Sequence, residues 1–187
     1  MEKKSKISTY RLVVIGAMAA VTCILGPLSI QIPTSPVPIS FTNLAVYLSI
    51  YVLGWKAGTF SYLIYLLLGL AGLPVFSGFT SGPAKLAGPT GGYLIGFIFM
   101  AAVGGWFIEK FDKKMWMHVL GLTLGTVTAY LFGTLWLSHI LNCGFLAGLS
   151  SGVIPYLPGD AAKIALSAAV GPMLRRRLKR AGVLQEL

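Results

Sequence analysis

The amino-acid sequence predicts an all-α integral membrane protein, a bundle of six transmembrane helices with both termini in the cytoplasm. Three observations support this class. The composition is unusually apolar, with 56% hydrophobic and 11% charged residues, whereas a soluble domain carries about 25% charged residues. Several segments without any formal charge are long enough to cross a bilayer. The basic residues are concentrated in alternate connections between these segments.

The uncharged segments define the helices. Residues 12–30 form a nineteen-residue run without charge, and a helix of that length spans about 28 Å, close to the hydrocarbon thickness of a bilayer. Backbone groups in lipid must bond to each other, and these runs are apolar on all sides rather than alternating, so helices are favoured over a barrel. We predict helices at 11–31, 40–54, 57–72, 91–108, 116–140 and 157–175, within a single transmembrane domain that covers residues 1–187.

The N-terminal segment has an alternative interpretation, because basic residues followed by an apolar run also characterise a secretory signal peptide. This run is longer than a typical signal-peptide core of about 7–15 residues, and no clear small-x-small cleavage site follows it. We therefore interpret the segment as the first helix of the bundle.

The distribution of basic residues predicts the orientation. Four Lys or Arg residues precede the first helix, one lies between the second and third, three lie between the fourth and fifth, and five follow the sixth, so 13 of the 15 fall on one side. Loops rich in Lys and Arg stay in the cytoplasm. Loops 32–39, 73–90 and 141–156 then face outward. The Arg-rich C-terminal segment is explained as a charged stop after a final helix, so we expect no nucleic-acid partner.

One acidic residue lies inside a predicted membrane helix. Asp160 precedes Lys163 by three positions, which places both side chains on one helical face near the outer end. Ionisable groups at membrane depth usually face a protein interior or a wet cavity. The pair can bind the polar head of a ligand, or it can satisfy both charges internally while Asp160 caps its own helix.

Motifs for catalysis are missing from the sequence. No Gly-x-x-x-x-Gly-Lys-[Ser/Thr] run is present, so the chain has no ATP-binding P-loop. His118 and His139 stand apart from any Cys or carboxylate cluster, which argues against a metal site. Asp160 is the only acid on the predicted outer side, so no Ser-His-Asp triad is assembled there. We expect neither an enzyme nor a bound cofactor.

Three stretches carry a resemblance to a known family. Residues 36–44 read PVPISFTNL, residues 88–97 read GPTGGYLIGF, and residues 157–163 read LPGD followed by two alanines and Lys163. Together they resemble BioY, the biotin-specific substrate-binding (S) component of energy-coupling factor transporters, and the likeness extends over essentially the whole chain. The resemblance implies a multi-pass protein of a prokaryotic plasma membrane that binds biotin outside. It also implies partners that supply energy, namely a transmembrane coupling protein (EcfT) and two ABC ATPases.

The resemblance also suggests site residues. It implies that Asp160 and Lys163 belong to the biotin site, where Asp160 can accept from a ureido N–H and Lys163 can donate to the ureido oxygen or to the carboxylate. The other expected substrate-binding residues are Phe41, Asn43, Tyr47, Gly91, Gly92 and Tyr93. The aromatic residues in this set can equally serve as packing or interface residues, and the glycines allow close backbone approach.

A pair of small residues, Gly16 and Ala20, lies one turn apart on the first helix. Such pairs let helix backbones approach closely, and the resemblance implies that this face meets the coupling protein. Packing within the bundle is the alternative for this pair. For the whole chain, two alternatives stay open: an S component for another vitamin, and a membrane scaffold that transports nothing.

Overall fold

The computed structural model describes residues 9–33 and 35–180. The basic residues at positions 3, 4 and 6, which contribute to the predicted orientation, therefore lie outside the described residues. The described elements are helix α1 (Thr9–Leu25), strands β1 (Ser29–Ile30) and β2 (Ile39–Ser40), and helices α2 (Thr42–Leu70), α3 (Pro83–Ala87), α4 (Gly91–Lys110), α5 (Met115–Ile140), α6 (Phe145–Gly152) and α7 (Leu157–Arg180).

The fold is mostly helical, as the sequence predicts. By length and composition, three of the described helices could cross a membrane, namely α2, α4 and α5, and α1 is a shorter apolar helix. Helices α4 and α5 pack closely against each other, and α2 packs against α1, α4 and α7. Buried tyrosines dominate the centre of the core, where Tyr47, Tyr51, Tyr62 and Tyr65 are almost fully shielded.

The prediction for the first helix was wrong at its C-terminal end. The helix was expected to run to residue 31, but α1 ends at Leu25. Pro27 explains the early end, because a proline disfavours helical backbone at the residue before it and donates no hydrogen bond of its own. The chain then forms a small antiparallel hairpin in which Ser29 pairs with Ser40 and Ile30 with Ile39.

Helix α2 is interrupted at Gly54, as the prediction of two separate helices requires. Gly54 has φ 77° and ψ −177°, a left-handed backbone that favours glycine. The chain folds back there, since a Cβ on Gly58 would lie 3.1 Å from the Cα of Ile50. At the turn, the backbone N–H of Trp55 donates to Oε1 of Glu109 at 2.8 Å. Residues 42–53 and 55–70 are therefore two antiparallel halves.

Two predicted loops contain helices that the sequence analysis did not anticipate. The segment 73–90 includes α3, and the segment 141–156 includes α6 and a short 3-10 turn at Ile154–Tyr156. Helix α7 also continues five residues beyond its predicted end at residue 175, because Arg175 and Lys179 pair with Asp112 at 3.0 and 2.8 Å.

The bundle has two chemically different ends. One end, which we call the cavity end, holds the start of α2, α4 and α7 around a pocket. The opposite end, which we call the basic end, brings together the start of α1, the break at Gly54 and the last turns of α7.

Candidate ligand-binding site

The cavity end contains a pocket that encloses about 640 Å³, counting the opening to its surroundings. All three segments that were predicted to be outer loops contribute to its wall. The lining residues include Val37, Pro38, Ile39, Ser77, Thr90, Gly152 and Tyr156 from these segments, and Asn43, Tyr93, Phe97, Thr126, Tyr130, Asp160 and Lys163 from the helices.

Asp160 forms the polar centre of the pocket wall. It lies in the first turn of α7 and is 8% exposed. Its Oδ1 atom accepts from Asn43 Nδ2 at 2.8 Å and from Lys163 Nζ at 3.0 Å. Its Oδ2 atom accepts from the Tyr130 hydroxyl at 2.6 Å. A carboxylate has about four acceptor positions, so these three bonds leave Oδ2 able to accept from a ligand N–H.

Lys163 is held by three acceptors. Its Nζ atom donates to the Ser40 carbonyl at 2.7 Å, to Asn43 Oδ1 at 3.0 Å and to Asp160 Oδ1 at 3.0 Å. An ammonium group has three protons, so a ligand oxygen must replace one of these acceptors. The Asp160–Lys163 pair is formally neutral, and it therefore suits a neutral polar group better than a second full charge.

Asn43 links the two charged residues. Its amide oxygen accepts from Lys163 and from the Leu44 N–H at 3.0 Å, while its amide nitrogen donates to Asp160. One of its two N–H groups is used by that bond, so the second can donate to a ligand acceptor. The expectation from the sequence that Asn43 lies with Asp160 and Lys163 agrees with this geometry.

The walls around this polar centre are largely apolar. Tyr93 lines the pocket with its ring, and its hydroxyl donates to the Gly152 carbonyl at 2.8 Å. Tyr156 also lines it; its hydroxyl donates to the Val37 carbonyl and lies 2.6 Å from Ser35 Oγ, which can donate to it. The bond of Tyr93 ties the end of α6 to α4, and the bonds of Tyr156 tie the β1–β2 hairpin to the segment between α6 and α7.

Two of the predicted aromatic site residues lie behind the wall. Tyr47 is fully buried, and its hydroxyl lies 2.5 Å from Oγ1 of Thr126, a lining residue. Phe41 is 39% exposed, and its ring centroid lies 5.9 Å from Lys163 Nζ. Neither is among the residues that line the pocket; they support the residues that do.

Gly91 and Gly92 do not line the pocket, in contrast to what the sequence analysis expected. A Cβ on Gly92 would lie 2.6 Å from the Phe132 carbonyl and would overlap Trp136, and one on Gly91 would overlap the Leu86 carbonyl. These glycines therefore allow the backbone of α4 to approach helix α5 and the end of α3 closely. Both glycines lie against neighbouring helices.

Sequence reasoning missed Tyr130, although it touches Asp160 directly. A usable signal existed, because the polar residues Thr126, Tyr130 and Thr134 recur every four residues along α5. This spacing places them on one face, and Thr126 and Tyr130 both reach the pocket. Polar residues aligned on a membrane helix indicate an interior or a cavity.

Fold and pocket together define a class: a membrane protein whose helices surround a small-molecule site with a neutral polar centre and apolar walls. Comparison with known proteins identifies the family within this class. A family model described as the BioY family matches residues 1–180, and the chain belongs to this family.

Similar proteins cover most of the chain. It is 38% identical to the biotin transporter BioY of Thermotoga maritima over 147 residues, 79% of this chain and 86% of the relative. It is 36% identical to the biotin transporter BioY2 of Lactococcus lactis over 169 residues, 90% of this chain and 92% of the relative. A solved structure, the S-component for biotin from an ECF-type ABC transporter, matches with a TM-score of 0.83 and 32% identity, covering 94% of this chain and 95% of that one.

Proposed function

We propose that this chain is the substrate-binding subunit of an ECF-type ABC transporter and that it captures biotin in the pocket at the cavity end. The single observation that carries the proposal is the Asn43–Asp160–Lys163–Tyr130 cluster inside that pocket. The names of the relatives and of the matching structure support biotin as the ligand.

The chemistry of the pocket fits biotin. The ureido ring presents two N–H donors and one carbonyl acceptor. Asp160 Oδ2 can accept from a ureido N–H, and the second amide N–H of Asn43 can donate to the ureido oxygen. Because all three Lys163 protons are engaged, we propose that Lys163 mainly orients Asn43 and Asp160, and that it reaches the ligand only by exchanging one acceptor. Tyr93, Phe97 and Tyr156 supply the apolar surface for the sulfur-containing ring.

The proposal includes the topology. Six crossings with both termini in the cytoplasm would place the cavity end outside and the basic end inside. Arg11, Lys56, Arg175 and Lys179 gather around one cavity at the basic end, in agreement with the preference of basic residues for the cytoplasmic side. The whole chain would then be a single transmembrane domain in a prokaryotic plasma membrane.

The proposed partners are a transmembrane coupling protein (EcfT) and two ABC ATPases. The sequence contains no P-loop of its own, so energy has to come from other subunits. The proposed contact with the coupling protein is the α1 face of Gly16 and Ala20. Both residues are exposed, and a Cβ on Gly16 would meet no atom within 4 Å, so this face is free to receive another helix.

Biotin binding to the purified protein, measured by isothermal titration, tests the proposal. We expect the wild-type protein to bind biotin and Asp160→Asn to bind it at least about tenfold more weakly, a loss of roughly 1.4 kcal/mol. The substitution removes the negative charge of the carboxylate and leaves Lys163 without its ion-pair partner. Lys163→Met should act in the same direction, whereas Lys114→Met, far from the pocket, should bind normally.

Three outcomes separate the alternatives. If the folded wild-type protein does not bind biotin but binds a different vitamin tightly, that vitamin is the ligand. Absence of binding to any vitamin would support a scaffold. Undiminished biotin binding in Asp160→Asn and Lys163→Met would leave the pair with a structural role only.

A further inference from the structure

The basic end contains a second cavity, at the opposite end of the helices from the pocket that holds Asp160. It encloses about 760 Å³, counting its wide opening. Its wall is formed by the start of α1, the break in α2, the end of α4 and the last turns of α7, and its charged lining residues are Arg11, Lys56, Glu109, Arg175 and Lys179.

Four cationic side chains and one carboxylate face this cavity. The carboxylate, Glu109, is already engaged, since its Oε1 accepts the Trp55 N–H at 2.8 Å. Nearby Asp112 pairs with Arg175 and Lys179 at 3.0 and 2.8 Å. Arg11 and Lys56 have no ion-pair partner within the described part of the chain, so the cavity keeps an excess of positive charge.

Exposed apolar side chains lie close in sequence to Arg11 and Lys56. Leu12 and Val13, next to Arg11, are 50% and 64% exposed, and Phe60, one turn beyond Lys56, is 52% exposed. Lys56 Nζ lies 5.4 Å from the centroid of the Trp55 ring, an aromatic residue typical of the membrane–water interface. A positively charged recess on helices that also expose apolar side chains is complementary to a phosphate group that carries acyl chains.

We propose that this cavity binds the phosphate of an anionic phospholipid in the leaflet at the basic end. Guanidinium and ammonium groups bind phosphate oxygens through charge-assisted hydrogen bonds, and basic residues at this depth attract anionic lipids. The lipid would join α1, the α2 break and α7, whose side chains already meet in a cluster that includes Ile15, Val52, Leu53 and Leu178.

Titration of the detergent-solubilised full chain with phosphatidylglycerol, followed by native mass spectrometry, tests this proposal. The test variant is Arg11→Gln with Lys56→Gln, because neither side chain holds an ion pair in the described residues. The matched control is Lys113→Gln with Lys114→Gln, which removes two exposed charges from the neighbouring loop. Should the first double variant not fold, the exposed Lys56→Gln alone replaces it.

We expect a single bound phosphatidylglycerol on wild type and on the control, and at least about fivefold weaker binding to the test variant. Equal losses in both double variants would show a diffuse surface attraction and overturn the site. Equal binding of phosphatidylcholine would overturn its preference for anionic lipid. If millimolar inorganic phosphate displaces the lipid and raises the thermal stability of the protein as much as the lipid does, the cavity is a site for free phosphate instead. Biotin binding is measured separately on the same preparations. A protein that does not bind biotin would contradict the proposed function but not the lipid site.

Discussion

Asp160 owes its position to hydrogen bonds from three different elements. Asn43 comes from the start of α2, Tyr130 from the middle of α5, and Lys163 from the next turn of α7. A buried carboxylate is costly unless it is paired and hydrogen-bonded. The same bonds that offset this cost also fix the direction in which the remaining lone pair of Oδ2 points.

Tyr130→Phe tests this positioning. The substitution removes one donor to Asp160 while keeping the ring, so we expect biotin affinity to fall by about three- to tenfold, in line with about 1 kcal/mol for one hydrogen bond. The measurement is isothermal titration on purified protein. Tyr10→Phe, on the exposed start of α1, is the control. Unchanged affinity in Tyr130→Phe would mean that Asn43 and Lys163 suffice to orient the carboxylate.

The sequence predicted the residues of this site unevenly. Asp160 and Lys163 could be found because ionisable residues are rare in apolar helices. Tyr93 was a candidate because an aromatic residue at the start of a helix can line a site, and Asn43 was reached only through the family resemblance. The spacing of Thr126, Tyr130 and Thr134 could have placed Tyr130 on a polar helix face, but it could not identify Asp160, 30 positions away, as the partner of its hydroxyl.

At the scale of elements, the apolar runs gave α4 and α5 to within two residues, and the predicted boundary near residue 54 coincides with the break in α2. The error at the end of α1 arose because Gly26 and Pro27 are apolar in composition but end a helix. Helices α3 and α6 were missed because they have only 5 and 8 residues, too short for a periodic signal.

Gly92→Ala tests whether the glycine at this position is needed for α4 to pack closely against α5. The added methyl group would overlap Trp136, so we expect a loss of about 1–3 kcal/mol in stability with little change in biotin affinity. Thermal unfolding and titration of the same sample measure the two effects.

Gly16→Ala is the matched control for Gly92→Ala. It also places alanine in a helix but in open space, where alanine is the better helix former, so it should be neutral or stabilising. A stable Gly92→Ala protein with weakened biotin binding would contradict the packing role and restore the glycine as a ligand contact.

For the whole molecule, the separation of the two ends is the main result. The polar pocket and the basic cavity lie at opposite ends of the same helices, since α7 contributes Asp160 to one and Arg175 to the other. This arrangement agrees with the proposed function, in which biotin would enter at the cavity end and the energising partners would bind elsewhere on the bundle.

Cysteine labelling measures the orientation. After replacement of Cys23 and Cys143 by serine, a single cysteine at Ala84, exposed on α3, should react with a membrane-impermeant maleimide in intact cells. A single cysteine at Lys113, exposed between α4 and α5, should react only after lysis. The reverse pattern would invert the bundle and place the pocket in the cytoplasm.

The last prediction separates ligand binding from assembly. Gly16 and Ala20 are exposed on α1, one turn apart, and close packing between membrane helices depends on such small residues. Gly16→Leu with Ala20→Leu should therefore leave equilibrium biotin binding near normal, because the pocket lies at the other end and contains no α1 residue. The same variant should co-purify poorly with the coupling protein and the ATPases, and ATP-driven biotin uptake should drop.

The control for this variant is Thr123→Leu with Val127→Leu, which places two leucines at the same spacing on an exposed face of α5. It should retain both biotin binding and co-purification. Loss of biotin binding in Gly16→Leu with Ala20→Leu would show that the small pair packs within the bundle. Intact co-purification would show that the coupling protein docks elsewhere than on α1, because two bulky side chains in the contact would keep the helix backbones apart.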